Sequence, residues 1–351
     1  MEHRTYHQEK DIENVKKLRE LQQELPRWLR DYFRGIEYTK ESRTRIAYAI
    51  DLKIFFDYIQ QHNPMYKNMN VQDIPIDILS KLKATDIEEY LEYLKLYKNE
   101  EGKEITNNER GLRRKLASLR SMYHYYHKNR IITENPVIQV DMPKIHDKAI
   151  IRLEANEVAE LLDIVESGST LSENQQLYHE KLKTRDLALL TLLLGTGIRV
   201  SECVGLDITD VDFDNDRIKI VRKGGYESFV YFGDEVREAL LDYLEERKNI
   251  IATENDENAL FLSSRKQRIS VRSVQVLVKK YAQTVTTLKK ITPHKLRSTY
   301  GTNLYQETGD IYLVADVLGH RDVNTTKKHY AAIEDGRRRL ARNKVRLREK
   351  E

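Results

Sequence analysis

Between residues 108 and 129 apolar side chains recur at alternating steps of four and three, at Leu112, Leu116, Leu119, Tyr123 and Tyr126. That spacing keeps one face of an α-helix against a core and predicts a helix over Asn108 to Asn129. The same period predicts helices from Asp11 to about Phe33, from Glu41 to Gln60 with Ile46, Ile50, Phe55 and Ile59 inward, and from Asp86 to Tyr97. Further on, Leu153 to Glu166 and Thr184 to Leu194 read as helices, Gly195 and Gly197 end the second, and a new helix begins near Arg199. The period then changes. Arg217 to Val221 and Glu227 to Phe232 are β-rich runs separated by Arg222-Lys223-Gly224-Gly225-Tyr226, a hairpin with Lys223 at its turn. After Asp234 the pattern returns to helices, including Ser270 to Thr284, Pro293 to Glu307 and Ile311 to Leu318. The fold class is therefore mainly α with a small β-sheet.

Prolines punctuate the middle of the chain. Asn135-Pro136, Met142-Pro143-Lys144 and the polar stretch to Ile150 read as an extended linker, because proline cannot continue a helix there. At 351 residues the chain is long enough for two cores. The boundary falls near residue 147, giving an N-terminal helical domain over 1–146, a second domain over 147–336, and a basic tail over 337–351. The longest apolar run, Leu187 to Leu194 broken by Thr191, is too short to span a bilayer, and the charged N-terminus lacks a signal peptide's apolar core. The single cysteine, Cys203, excludes an internal disulfide framework or a cysteine-cluster metal site; it sits in an apolar stretch as a small buried hydrophobe. These features predict a soluble, cytoplasmic protein.

Charge changes the picture locally more than globally. The net charge is only +4, but the face of the 108–129 helix opposite its apolar stripe carries Arg110, Arg113, Arg114, Lys115 and Arg120, with no acid between Arg110 and Lys128. Such a face is either solvated surface or a track for DNA phosphates. The tail from Arg337 to Lys350 is strongly basic as well, with Leu340, Val345 and Leu347 as its few apolar anchors.

The candidate chemistry lies downstream. Thr292-Pro293 opens a helix, Thr292 as its N-cap, so that His294 and Arg297 share a face at the helix's positive end, where an anion is favoured. Leu318-Gly319-His320 reads as a glycine-terminated helix with the histidine on the next turn. Arg199 lies three residues before Glu202, spacing for an ion pair in which Glu202 also orients Arg199. Taken singly, each has a structural explanation, and Tyr330 is one of 21 tyrosines. Their order and spacing carry more. Metal-free cleavage of a phosphodiester needs a nucleophile, fixed positive charge on the non-bridging oxygens, and an acid for the leaving oxygen, and Tyr, Arg, His and Lys can supply these. Arginine also matches phosphate geometry and stays charged at any working pH.

In that order Arg199, Lys223, His294, Arg297, His320 and Tyr330 resemble the tyrosine recombinase (phage integrase) family. The likeness extends over about residues 15 to 340, is Xer-type, and in phrases such as Lys183-Thr184-Arg185-Asp186-Leu187-Ala188 and Ile291 to Arg297 is most like the single-recombinase XerS branch. Two positions depart from the common pattern: Ser298, where many members carry a second histidine, and Tyr330-Ala331-Ala332, where Xer proteins often have Tyr-Thr-His. The first does not touch the chemistry. The second leaves mobile-element integration open beside chromosome dimer resolution.

The resemblance implies an N-terminal helical core-binding (SAM-like) domain and a tyrosine-recombinase catalytic domain that form a clamp on double-stranded DNA carrying an inverted-repeat recombination site. It implies a homotetramer on paired sites, linked by C-terminal helices, with accessory or excisionase factors as further partners, and it requires no metal or other cofactor. Tyr330 would attack the scissile phosphate, Arg199 and Arg297 would hold its oxygens, Lys223 would protonate the leaving 5′-oxygen, His294 would take the tyrosine proton, and His320 would bond the phosphate. Two other readings share part of the pattern: a type IB topoisomerase, and a catalytically silent architectural DNA-binding protein.

Overall fold

The computed structural model describes residues 5–99, 101–146, 150–222, 225–320 and 323. It divides into two compact units, residues 1–148 and 149–351. No helix among the described residues is long and apolar enough to cross a membrane.

The first unit runs α1 (Tyr6–Leu21), α2 (Leu29–Gly35), α3 (Ser42–His62), α4 (Ile78–Lys81), α5 (Ala84–Tyr93), a hairpin of β1 (Leu96–Lys98) and β2 (Glu104–Thr106), and α6 (Glu109–Lys128). The single helix expected from Asp11 to Phe33 is two helices. Leu25, at φ −118° and ψ 158°, is extended because it precedes Pro26, whose ring disfavours helical backbone before it and whose nitrogen cannot donate. The helix expected to Tyr97 likewise stops at Tyr93: Leu96 pairs with Thr106 across the β1–β2 hairpin, and the Asn107 side chain donates to the Leu94 carbonyl at 2.8 Å.

The core of this unit lies between α3 and α6. Leu112, Leu116, Leu119, Tyr123 and Tyr126 all point into it, as do Ile46, Phe55 and Ile59. Ile50 does not, being 38% exposed, because the buried arc of α3 is centred on Ala49, Leu52 and Phe56 and Ile50 falls past its edge. The segment expected to be linker from Asn135 remains part of the unit through Val140. Pro136–Ile138 form one 3₁₀ turn, Val137 and Val140 are buried, and Arg120 donates to both their carbonyls at 3.4 and 2.5 Å.

The second unit runs α7 (Ala155–Ser167), α8 (Glu173–His179), α9 (Lys183–Thr196), α10 (Val200–Val204), β3 (Val211–Asp212), β4 (Arg217–Val221), β5 (Glu227–Tyr231), α11 (Asp234–Arg247), α12 (Val271–Val285), α13 (Pro293–Thr308) and α14 (Ile311–Val317). α9 is its centre, with Ala188, Leu189, Leu190, Leu192 and Leu193 buried on all sides against α7, α11 and α13. The sheet is antiparallel in the order β3-β4-β5, and Ile218 pairs with Val230 on its buried face. Two elements, α8 and β3, were not expected from the pattern. α8 is signalled by Ser172 and Gln175 in a reciprocal cap, and it places His179 in the core with Nε2 at 2.7 Å from the Val165 carbonyl.

Candidate active site

The end of α9 sets the first element of the site. Gly197 closes that helix in the left-handed region at φ +63°, and a methyl group there would come 2.4 Å from Cδ1 of Tyr300, so only glycine fits. Two residues later Arg199 takes the N-cap position of α10. The Glu202 carboxylate, 4% exposed, accepts from the Arg199 backbone N–H at 2.7 Å and from Nη1 at 2.8 Å. One buried acid thus fixes both the backbone and the guanidinium of Arg199.

α13 supplies the second element. Pro293 occupies its first turn, as its fixed φ allows. Thr292 stands at the N-cap but makes no side-chain capping bond, contrary to expectation; its backbone carbonyl accepts from the Lys295 and Leu296 N–H groups instead. His294 lies in the first turn and is exposed, whereas Arg297, one turn on, is 4% exposed. Arg297 donates to the carbonyls of Gly197 and Leu318, joining the end of α9 to the end of α14.

The third element is the turn after α14. Gly319 is left-handed at φ +58°, and the His320 N–H returns to the Ala315 carbonyl at 2.9 Å. The last carbonyls of a helix have no intrahelical partner and carry the negative end of its dipole. Three guanidinium groups meet there. Arg297 and Arg222 both donate to Leu318, the latter at 3.0 Å; Arg222 also donates to Val317 at 3.0 Å; and Arg199 reaches Gly319 at 3.3 Å. Burial lowers the pKa of Arg222 below the ordinary arginine value, with Glu202 opposing the shift and the Arg199 charge adding to it. The arrangement concentrates positive charge beside the turn that carries His320, an environment suited to a phosphate.

Of the residues singled out from sequence, Arg199, Glu202, Arg297 and the His320 turn are brought together, and His294 shares a helix with Arg297. Lys223, Tyr330 and the 337–351 tail lie outside the described residues. Arg222 was missed: its partners are 95 and 96 residues away, and no local motif marks it.

The basic face of α6 is smaller than the sequence indicated. Arg110 and Arg113 are exposed, but Lys115 is 5% exposed and pairs with the buried Asp51 at 3.3 Å, beside Arg114 at 2.7 Å. Lys115 belongs to the apolar stripe, lying three residues after Leu112 and four before Leu119, and must therefore be corrected from surface to core. Arg120 is spent on the Val137 and Val140 carbonyls. Cys203 is fully buried, and burial pushes its thiol up to about 12.

The phage integrase family pattern matches residues 151–337, the stretch that carries Arg199, Glu202, Arg222, His294, Arg297 and His320. The chain belongs to the phage integrase family. Among phage integrase relatives, the tyrosine recombinase XerC of Caldanaerobacter subterraneus is 32% identical, over 90% of this chain and 84% of its own length. Tyrosine recombinase XerS of Streptococcus agalactiae is 28% identical over 92% of this chain and 96% of its own. The fold is that of solved family members too. The XerH site-specific recombinase in a post-cleavage complex with a palindromic difH substrate superposes with a TM-score of 0.63, at 19% identity, covering 85% of this chain and 78% of that one. The Tn1549 transposon integrase in complex with transposon right end DNA gives 0.61 at 20% identity, covering 90% and 98%. The protein is accordingly a tyrosine recombinase with site-specific recombinase activity, and neither the topoisomerase nor the architectural reading is favoured.

Proposed function

We propose that this recombinase cuts and rejoins double-stranded DNA at an inverted-repeat site through a 3′-phosphotyrosyl intermediate. Tyr330 attacks the scissile phosphorus, and the bond to the 5′-oxygen breaks. His294 takes the phenol proton, since a tyrosine with an ordinary pKa near 10 is mostly neutral at pH 7. Lys223 gives a proton to the departing 5′-oxygen. Arg199 and Arg297 hold the non-bridging oxygens, each worth roughly 3 kcal/mol if comparable with an oxyanion donor, and His320 bonds the same phosphate. Attack of a partner strand's 5′-hydroxyl on the phosphotyrosine reverses these steps and completes the exchange. The bond energy is conserved, so neither ATP nor a metal ion enters.

The observation that carries this reading is the convergence of Arg199 and Arg297 on one helix end next to His320, in a chain of this family. Arg110 and Arg113 on α6 supply phosphate contacts from the first unit, residues 1–146 as the core-binding domain and 147–336 as the catalytic domain, and the 337–351 tail joins neighbouring subunits in a tetramer on paired sites. The protein works in the bacterial cytoplasm on the chromosome or on a mobile element within it, with accessory or excisionase factors setting direction.

The test begins with a duplex selected from a randomised pool by binding to the full-length protein, then nicked just 3′ of its cleavage point so that the short fragment bearing the free 5′-hydroxyl diffuses away. A denaturant-resistant protein–DNA adduct in the presence of EDTA is the expected result. Relaxation of supercoiled plasmids without exchange between two copies of the selected site would favour a topoisomerase, and binding without adduct would favour an architectural role.

A further inference from the structure

Arg222 is the first residue after β4, and the hairpin itself fixes its backbone: its N–H donates to the Tyr226 carbonyl at 2.7 Å, and its own carbonyl accepts from Gly225 at 3.0 Å. Its side chain leaves the sheet and crosses to α14. There Nη1 and Nη2 each lie 3.0 Å from a carbonyl oxygen, of Leu318 and Val317 respectively, so that the planar guanidinium spans two successive carbonyls. The contact is built from both sides. A methyl group on Gly319 would come 2.4 Å from Nη1 and 2.7 Å from Cζ of Arg222, so the glycine both turns the chain and admits the side chain.

Stability alone is a poor reason for this arrangement. The end of a helix is satisfied at little cost by water or by a lysine. Here a half-buried guanidinium is desolvated and set near two other cations, Arg199 and Arg297, which act on the same turn. The Leu318 carbonyl accepts from Arg222 and Arg297 together. Any shift of the α14 end therefore moves the anchor of Arg297 and the peptide that leads into His320.

We infer that Arg222 is a positioning residue for strand cleavage: it clamps the last turn of α14 to the base of the β4–β5 hairpin and so fixes His320 and the Arg297 anchor in one register. This rests on the recombinase reading above. It assigns Arg222 no contact with the DNA.

The experiment compares wild type, Arg222→Gln, Arg222→Lys, His320→Ala and the Arg222→Gln/His320→Ala double variant, all full length, on the selected nicked duplex. Binding and single-turnover adduct formation at saturating DNA are measured separately. Arg222→Gln is expected to slow adduct formation by about 10- to 100-fold with DNA affinity within about 3-fold of wild type. Arg222→Lys, which keeps the charge but cannot span both carbonyls, is expected to be comparably slow, and it serves as the test where Gln impairs folding. The double variant is expected to be slowed by clearly less than the product of the two single defects, because part of the Arg222 defect acts through His320. Multiplying defects, a Lys variant at the wild-type rate, or a loss confined to affinity would each overturn the positioning role while leaving the recombinase reading in place. A wild type that forms no adduct at all would overturn that reading, and this one with it.

Discussion

Glu202 holds Arg199 at two points, accepting from its backbone N–H at 2.7 Å and from Nη1 at 2.8 Å, while itself almost wholly buried. The pair differs from a surface ion pair because the carboxylate is withdrawn from water and the guanidinium is held at Nη1 by that carboxylate and at Nη2 by the Gly319 carbonyl. Glu202→Gln keeps the size and removes the charge. The expected outcome is a fall of about 10- to 100-fold in the single-turnover adduct rate with DNA affinity nearly unchanged, since a misplaced phosphate ligand costs rate before it costs binding.

Gly197 is the hinge between α9 and Arg199. An alanine there must adopt φ +63° and place its methyl group 2.4 Å from the Tyr300 ring. The left-handed backbone alone costs about 1–2 kcal/mol, and displacing a packed ring adds to it. Chemical denaturation of Gly197→Ala should therefore show a loss of at least about 2 kcal/mol. A midpoint equal to wild type would mean that the turn repacks without strain.

The two kinds of cation on α6 separate cleanly. Arg110 and Arg113 are exposed, so Arg113→Ala should weaken DNA binding equally for all sequences and reduce the slope of log affinity against log salt by about one. Lys115→Ala leaves the buried Asp51 with Arg114 as its remaining cation and should destabilise the fold by about 2 kcal/mol, the loss of one hydrogen bond to a buried charge. Salt-dependent binding isotherms and denaturation curves on the same two variants check both.

Lys115 also shows where sequence stops being informative. Its charge set it with the basic face, although its place three residues after Leu112 and four before Leu119 is on the apolar one; the compensating partner Asp51, 64 residues earlier, leaves no mark in the local pattern. The α6 stripe, the β4–β5 hairpin, the helix ends at Gly197 and Gly319 and the order of Arg199, His294, Arg297 and His320 were legible because each rests on local period or on a short motif, whereas Gly195, expected to end α9, lies inside it. The Leu25–Pro26 break was equally local, and the apolar pattern running through it masked it. Arg222 had no such signal, since its role depends on carbonyls brought to it by the packing of α14. The short strands β1, β2 and β3, of two or three residues, are too brief to show alternation.

Alkaline pH should unfold the first unit. Burial raises the pKa values of Tyr32, Tyr90, Tyr123 and Tyr126 above 10, so these phenols stay protonated in the folded chain while they ionise in the unfolded one. Their stabilisation is complete below about pH 10 and declines above it, by up to about 1.4 kcal/mol per pH unit for each. The Tyr123 hydroxyl is buried with no hydrogen-bond partner among the described residues. Tyr123→Phe should therefore gain up to about 1 kcal/mol at pH 7 and make the alkaline slope shallower. Denaturant midpoints measured on both sides of pH 10 decide it.

The proposed chemistry joins Tyr330 to DNA beside a phosphate held by Arg199 and Arg297. The most direct measurement is mass spectrometry of the tryptic peptide carrying the nucleotide remnant after trapping on the nicked duplex, with Tyr330→Phe run in parallel. A remnant on Tyr330 in the wild type and no adduct from the Phe variant are expected. An adduct that survives Tyr330→Phe, or a remnant on any other residue, would show that Tyr330 is not the nucleophile.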